Sequence, residues 1–92
     1  MKSVLVISEQ DNVATALEAL EPGRELTVRN GTVVVRDAIP RGHKVALATI
    51  GAGAAVIKYG SPIGKASADI EPGQHVHTHN VASSRGRGDL ES

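Results

Sequence analysis

Three of the four histidines in this chain stand at alternate positions, His75, His77 and His79. Alternate residues of an extended strand point to one face and lie about 6 to 7 Å apart, so the three imidazoles can converge. Neutral imidazole is the commonest side-chain ligand for zinc, iron, manganese and related ions. His75, His77 and His79 are therefore the candidate metal ligands and the candidate acid/base groups. On a straight strand positions i and i+4 are about 13 Å apart, too far for one ion to hold all three. Two ligands backed by a third histidine, or a bulge that turns the third inward, satisfy the spacing. Against this stands the plainer role of a short His-rich tract, an exposed polar strand face. His43 follows a Pro-Arg-Gly sequence and reads first as a polar turn residue, second as a ligand or proton shuttle. Asn80 suits a turn or a substrate hydroxyl equally, and Lys58, beside Tyr59, suits a strand surface, an acid/base role or a carboxylate anchor. Other catalytic templates are missing: there is no GxSxG, no cysteine, no P-loop and no dinucleotide fingerprint. Gly51 to Gly53 lack the Lys and Ser or Thr that complete a phosphate cradle and read as a turn.

The scaffold that must position these groups is small. Ninety-two residues allow one domain and no second independent core. Trp and Phe are absent and Tyr59 is the sole aromatic, so the core is built from Val, Ile, Leu and Ala. Residues 12–20 carry Val13, Ala16, Leu17 and Leu20 at helical spacing behind the capping-type residues Ser8 and Asp11, which predicts one short N-terminal helix ended by Glu21, Pro22 and Gly23. Everything after it reads as extended. Asn30 and Gly31 predict a hairpin between residues 26–29 and 32–36, and residues 44–50, 55–59, 63–68 and 75–81 are short β-type runs. An apolar–x–x–Gly–x–x–apolar pattern occurs four times: Leu20/Gly23/Leu26, Ile39/Gly42/Val45, Ile50/Gly53/Val56 and Ile70/Gly73/Val76. Each copy predicts a turn in which Gly supplies the unusual backbone angle and both aliphatics enter the same core. Unequal spacing between copies favours a folded-over sheet and disfavours a solenoid. The domain reading is 1–82, with 83–92 a flexible tail of Gly, Ser and charge.

Net charge is zero but unevenly spread. Residues 29–65 carry six bases against Asp37, whereas residues 1–28 carry five acids against two bases. A cationic middle is either a solvated surface or a face for a small anion near Arg36, Arg41, Lys44, Lys58 and Lys65. The lack of exposed aromatic rings disfavours nucleic acid as a partner. No apolar stretch reaches the ~20 residues of a membrane span, and the absence of cysteine fits a cytoplasmic, reducing compartment.

The blocks GHKVALATI (42–50), VIKYGSPIGKASADI (56–70) and GQHVHTHNV (73–81) resemble the small SAF-type domain of the altronate and galactarate dehydratase family, over residues 1–90. RGRGDL (85–90) resembles variants in which this domain is a separate small subunit. The resemblance implies a mostly β, β-clip fold. It implies a hydro-lyase that converts a sugar acid such as altronate to a 2-keto-3-deoxy acid, with a large catalytic subunit carrying the rest of the site. The small subunit of sulfolactate sulfo-lyase is similar, and there sulfite leaves in place of water; a noncatalytic sugar-acid-binding or assembly module is the further alternative. On this resemblance His75, His77 and His79 form the metal or acid/base cluster, Lys58 and Arg41 are candidates for holding the substrate carboxylate, with Asn80 kept as the candidate for a substrate hydroxyl, and iron or manganese is favoured over zinc. The chain by itself is expected to be inactive and able to associate with itself.

Overall fold

Runs of three to six β-prone residues broken by Gly and Pro give strands that cannot grow long, and nine form in the computed structural model, which describes residues 3–28 and 31–82. They are β1 (Val4–Leu5), β2 (Val13–Ala16), β3 (Glu25–Val28), β4 (Gly31–Val34), β5 (Lys44–Ala46), β6 (Ala55–Lys58), β7 (Ser61–Ala66), β8 (His75–Val76) and β9 (Val81–Ala82). A central antiparallel sheet has the order β1-β2-β5-β8, β3 and β4 form a hairpin, and β6-β7-β9 form a third sheet. Val28 pairs with Gly31, so the Gly31 of the expected Asn30-Gly31 turn belongs to β4. Residues 29–30 and the expected tail at 83–92 lie outside the described residues.

The expected N-terminal helix is not there; no helix occurs among the described residues. Residues 13–16 are instead β2, paired on both sides, with β1 and β5. Its apolar positions look helical because both faces of the strand are buried. Val13 packs into one hydrophobic cluster while Ala14 and Ala16 pack into the other, and Leu17, the supposed third member of a helical face, is exposed. Asp11 is no helix cap. Its buried carboxylate accepts the backbone N–H groups of Ile7, Ser8 and Gly60, at 3.2, 3.1 and 2.8 Å. Burial pushes its pKa upward, but these bonds and that from Tyr59 outweigh burial and hold it below the usual value.

The fourfold turn pattern is what organises the chain. Gly23, Gly42, Gly53 and Gly73 have φ of +94°, +88°, +86° and +90°. The residue after each glycine donates its N–H three residues back, Arg24 to Glu21, His43 to Pro40, Ala54 to Gly51 and Gln74 to Glu71, which is the signature of a type II turn. Both aliphatics of each copy enter one cluster. Leu20, Leu26, Ile39 and Val45 share the first, and Ile50, Val56, Ile70 and Val76 share the second. The copies also pair, through antiparallel bridges Leu20 to Ile39 and Ile50 to Ile70. The two clusters lie on opposite faces of the same β2–β5 ladder, so neither is an independent core.

Substitution at these glycines should separate strain from collision. At Gly53 an added Cβ meets nothing within 4 Å, so Gly53→Ala should cost only the left-handed penalty of about 1 to 2 kcal/mol. At Gly73 the Cβ would sit 1.9 Å from the Val34 carbonyl oxygen, where the backbone has no flexible atom to give way. Gly73→Ala should lower the urea midpoint far more, by the equivalent of over about 4 kcal/mol. Equal midpoints for the two variants would contradict this packing.

Candidate functional site

Backbone register brings the histidines together. His43 closes the turn at 40–43 and precedes β5 directly; His75 opens β8 and pairs with Val45. Paired residues share a face and alternate residues return to it, so His43, His75 and His77 all project to one side of the central sheet. His43 and His77 stack with ring centroids 3.8 Å apart and 13° between planes. His43 Nδ1 and His75 Nε2 are 2.8 Å apart, joined by a hydrogen bond. One nitrogen from each of the three rings falls within 4.8 Å of the others, and all three residues are half-buried. His77 Nδ1 is buried with no hydrogen-bond partner.

The expected strand through residues 75–81 is interrupted, and this changes which imidazoles converge. β8 ends at Val76, and residues 77–80 turn. Asn80 fastens that turn: its Oδ1 accepts the His77 N–H at 3.0 Å and its Nδ2 donates to the His75 carbonyl at 2.8 Å. Both ends of the amide are thus engaged by backbone, the turn role. His75 N–H donates in addition to Asp37 Oδ2 at 2.9 Å. His79 leaves the shared face and lies exposed, its ring tilted 38° to that of His75 at 5.0 Å. It stands beside the three convergent nitrogens and is not one of them; its place is taken by His43.

Comparison with known proteins gives the family. Residues 2–84 match the model of the altronate/galactarate dehydratase SAF domain. The chain belongs to that family. Altronate dehydratase of Escherichia coli (strain K12) is 58% identical over 71 residues, which are 77% of this chain and 14% of that protein. Altronate dehydratase of Bacillus subtilis (strain 168) is 46% identical over 81 residues, 88% of this chain and 16% of that protein. The alpha subunit of (2R)-sulfolactate sulfo-lyase from Chromohalobacter salexigens is 36% identical over 88 residues, 87% of this chain and 94% of that subunit. The SAF domain described here thus spans about one seventh of the dehydratases it matches and nearly all of the sulfo-lyase alpha subunit. Two of these relatives are named as dehydratases and the third as a subunit of a sulfo-lyase.

In this SAF domain the donor set fits a borderline divalent ion: three imidazoles, partly desolvated, with one nitrogen orphaned. Burial, then the neighbouring His79, His43 and His77, hold the His75 pKa below its usual value, against a smaller opposing effect of Asp37. Burial, then His43, Lys44 and His79, do the same for His77. Neutral imidazole is the ligating form. Arg41 is exposed in the same turn as His43, and Lys58 ends β6 with its Nζ 4.7 Å above the Tyr59 ring.

Two outcomes follow for this cluster. In an NMR titration the rings of His75 and His77 should have midpoints below the reference value of about 6.5. Their folded values lie below the unfolded one, so the unfolded chain binds more protons in between. Their contribution to stability is therefore full above about pH 6.5 and falls as pH drops through the folded values. Midpoints at or above the reference would contradict the burial. Asn80→Ala should release the turn and weaken binding of manganese or zinc by about 10- to 100-fold in calorimetry; unchanged affinity would show that the clamp does not orient the rings.

Proposed function

We propose that this chain is the small SAF-type subunit of a sugar-acid dehydratase, in β-clip form, contributing its histidines to a site completed by a large subunit. The observation that carries the reading is the convergence of His43, His75 and His77 in a member of this family. His43, His75 and His77 would hold a divalent ion, iron or manganese in the first place and zinc as a further fit. Bound there, such an ion supplies charge stabilisation for oxygen atoms that become negative when a proton leaves the carbon beside a carboxylate.

The chain's own residues supply the remainder. His79, exposed beside His75, is the acid/base group, for abstraction of the proton or for protonating the departing hydroxyl. Arg41 and Lys58 are cations available to a substrate carboxylate, and Asn80 holds the loop that aims His75 and His77. Loss of the proton and of hydroxide as water leaves an enol, which tautomerises to the 2-keto-3-deoxy acid. A second polypeptide is needed to enclose a six-carbon acid: a groove of about 560 Å³ on this domain is lined by residues 3–4, 6–9 and 25–28 and includes no histidine. Coverage of 94% of a sulfo-lyase alpha subunit supports a separate-subunit arrangement and sustains a second reading, elimination of sulfite from sulfolactate.

Mixing the chain with its large subunit and assaying altronate, other hexonates and sulfolactate tests both. Turnover should appear only in the mixture. His77→Ala should reduce it by at least about 100-fold, and both His43→Ala and His77→Ala should lower the metal content of protein purified without tag or chelator. Full turnover by the His77 variant would reject the role, and the substrate turned over decides between water and sulfite.

A further inference from the structure

The groove without a histidine lies between β1, with the loop that follows it, and β3. Among the described residues β1 pairs only with β2 and β3 only with β4, so each strand keeps one edge open. Hydrogen bonding shows which residues face outward there. The Ser3 carbonyl accepts the Leu17 N–H, and the Arg24 carbonyl accepts the Val35 N–H. Bonded and non-bonded pairs alternate along an antiparallel ladder, so Val4, Glu25 and Thr27 turn N–H and C=O away from their partner strands. All three line the groove, whereas Leu5, whose backbone groups face β2, does not. The floor is apolar: Val4 and Leu26 are buried in the first cluster, with Val6 and Val28 packed against it. By register Val4, Ala16, Ala14, Val45 and His75 share one face of the central sheet. The groove therefore opens on the side that carries the imidazoles.

Open strand edges over an apolar floor suit an extended peptide, whose main chain pairs with the edge while alternate side chains reach the floor. Charge narrows the occupant. Glu9 and Glu25, both exposed, line the groove and no base does. Arg24, beside it in the chain, is already held by Glu18 at 2.6 Å and by Ser3. Such a lining repels an anionic sugar acid and attracts Lys or Arg. We propose that the groove receives an extended segment of the large subunit, added as a strand along the open edge of β3. Its apolar side chains rest on Val4 and Leu26, and its alternating Lys or Arg side chains meet Glu9 and Glu25. The large subunit as partner rests on the function proposed above; the open edges and the acidic lining are independent of it.

The full chain and the full-length large subunit are the reagents, with association read by calorimetry. Thr27→Pro removes an N–H that the hairpin does not use and blocks the edge; it should weaken association by at least about tenfold. Glu9→Lys combined with Glu25→Lys should do the same through charge, and added salt should weaken association of the unaltered chain. Urea midpoints confirm that the variants are folded, and the charge reversal carries the test if the proline variant is not. Absence of association, or affinity unchanged in both variants, overturns the proposal. So does a groove that serves another occupant: a dimer of this chain abolished by Thr27→Pro while the large subunit still binds, or gluconate-induced ¹⁵N shifts centred on Val4, Glu25 and Thr27. Turnover of hexonates and sulfolactate is assayed in the same mixtures. Association lost in the groove variants, in a mixture that turns over neither substrate, removes the dehydratase reading and leaves the docking surface standing.

Discussion

A left-handed backbone angle at four glycines is the constraint on which this domain depends. Each lets the chain reverse within four residues while the aliphatic on either side drops into the same cluster. With no Trp or Phe available, the clusters are filled by branched aliphatics that interlock only if the turns deliver them in register. Gly73 carries a second demand. Its carbonyl accepts the Arg36 N–H while its Cα lies against the Val34 carbonyl, so the turn that precedes the histidines is also the seam to the β3–β4 side. The chemistry and the packing therefore share a backbone segment.

The pairing of turns explains how one short chain supports two clusters. The first and second copies meet at Leu20 and Ile39, the third and fourth at Ile50 and Ile70, and each pair closes one cluster. Between them lies the β2–β5 ladder, whose small residues Ala14, Ala16 and Ala46 let both clusters approach the sheet. Polar groups join the pieces where aliphatics run out. Asp11 and Asn12 turn their side chains to backbone groups of residues 55–60, more than forty positions away, and so fix β6 against the start of β2.

The turns were legible in the sequence because each is local: Gly at a fixed offset between two aliphatics has one economical explanation. The mostly β architecture and the hairpin followed from equally local signals. The helix failed for a physical reason. A four-residue strand buried on both faces has apolar side chains at nearly every position, and a helical stripe can be picked out of any such run. Val13 and Thr15, both β-branched, were the local hint toward strand. The histidine site was half legible. His75 and His77 share a face because they alternate, but the turn that diverts His79 depends on the Asn80 amide, and His43 arrives through a pairing between strands 28 residues apart. No spacing rule reaches across that distance.

That same register decides what each face of the sheet can do. His43 and Lys44 are neighbours on opposite faces of β5, and a slip of one residue would exchange them, sending imidazole into the second cluster and ammonium among the rings. Val45 and Ala46, both buried on opposite sides, oppose the slip, and the bonds Gly42 N–H to the Ala16 carbonyl and Gly73 N–H to the Ala46 carbonyl pin it from either end. The hydrogen bond between His43 and His75 adds an electrostatic condition, for one of its nitrogens must be an unprotonated acceptor. Two fully protonated rings cannot make that bond, and stacked imidazoles gathered beside Lys44 repel added charge. Turn geometry thus selects the register, the register gathers the rings, and burial, with their crowding second, favours the neutral form of His75 and His77 that can ligate or accept a proton.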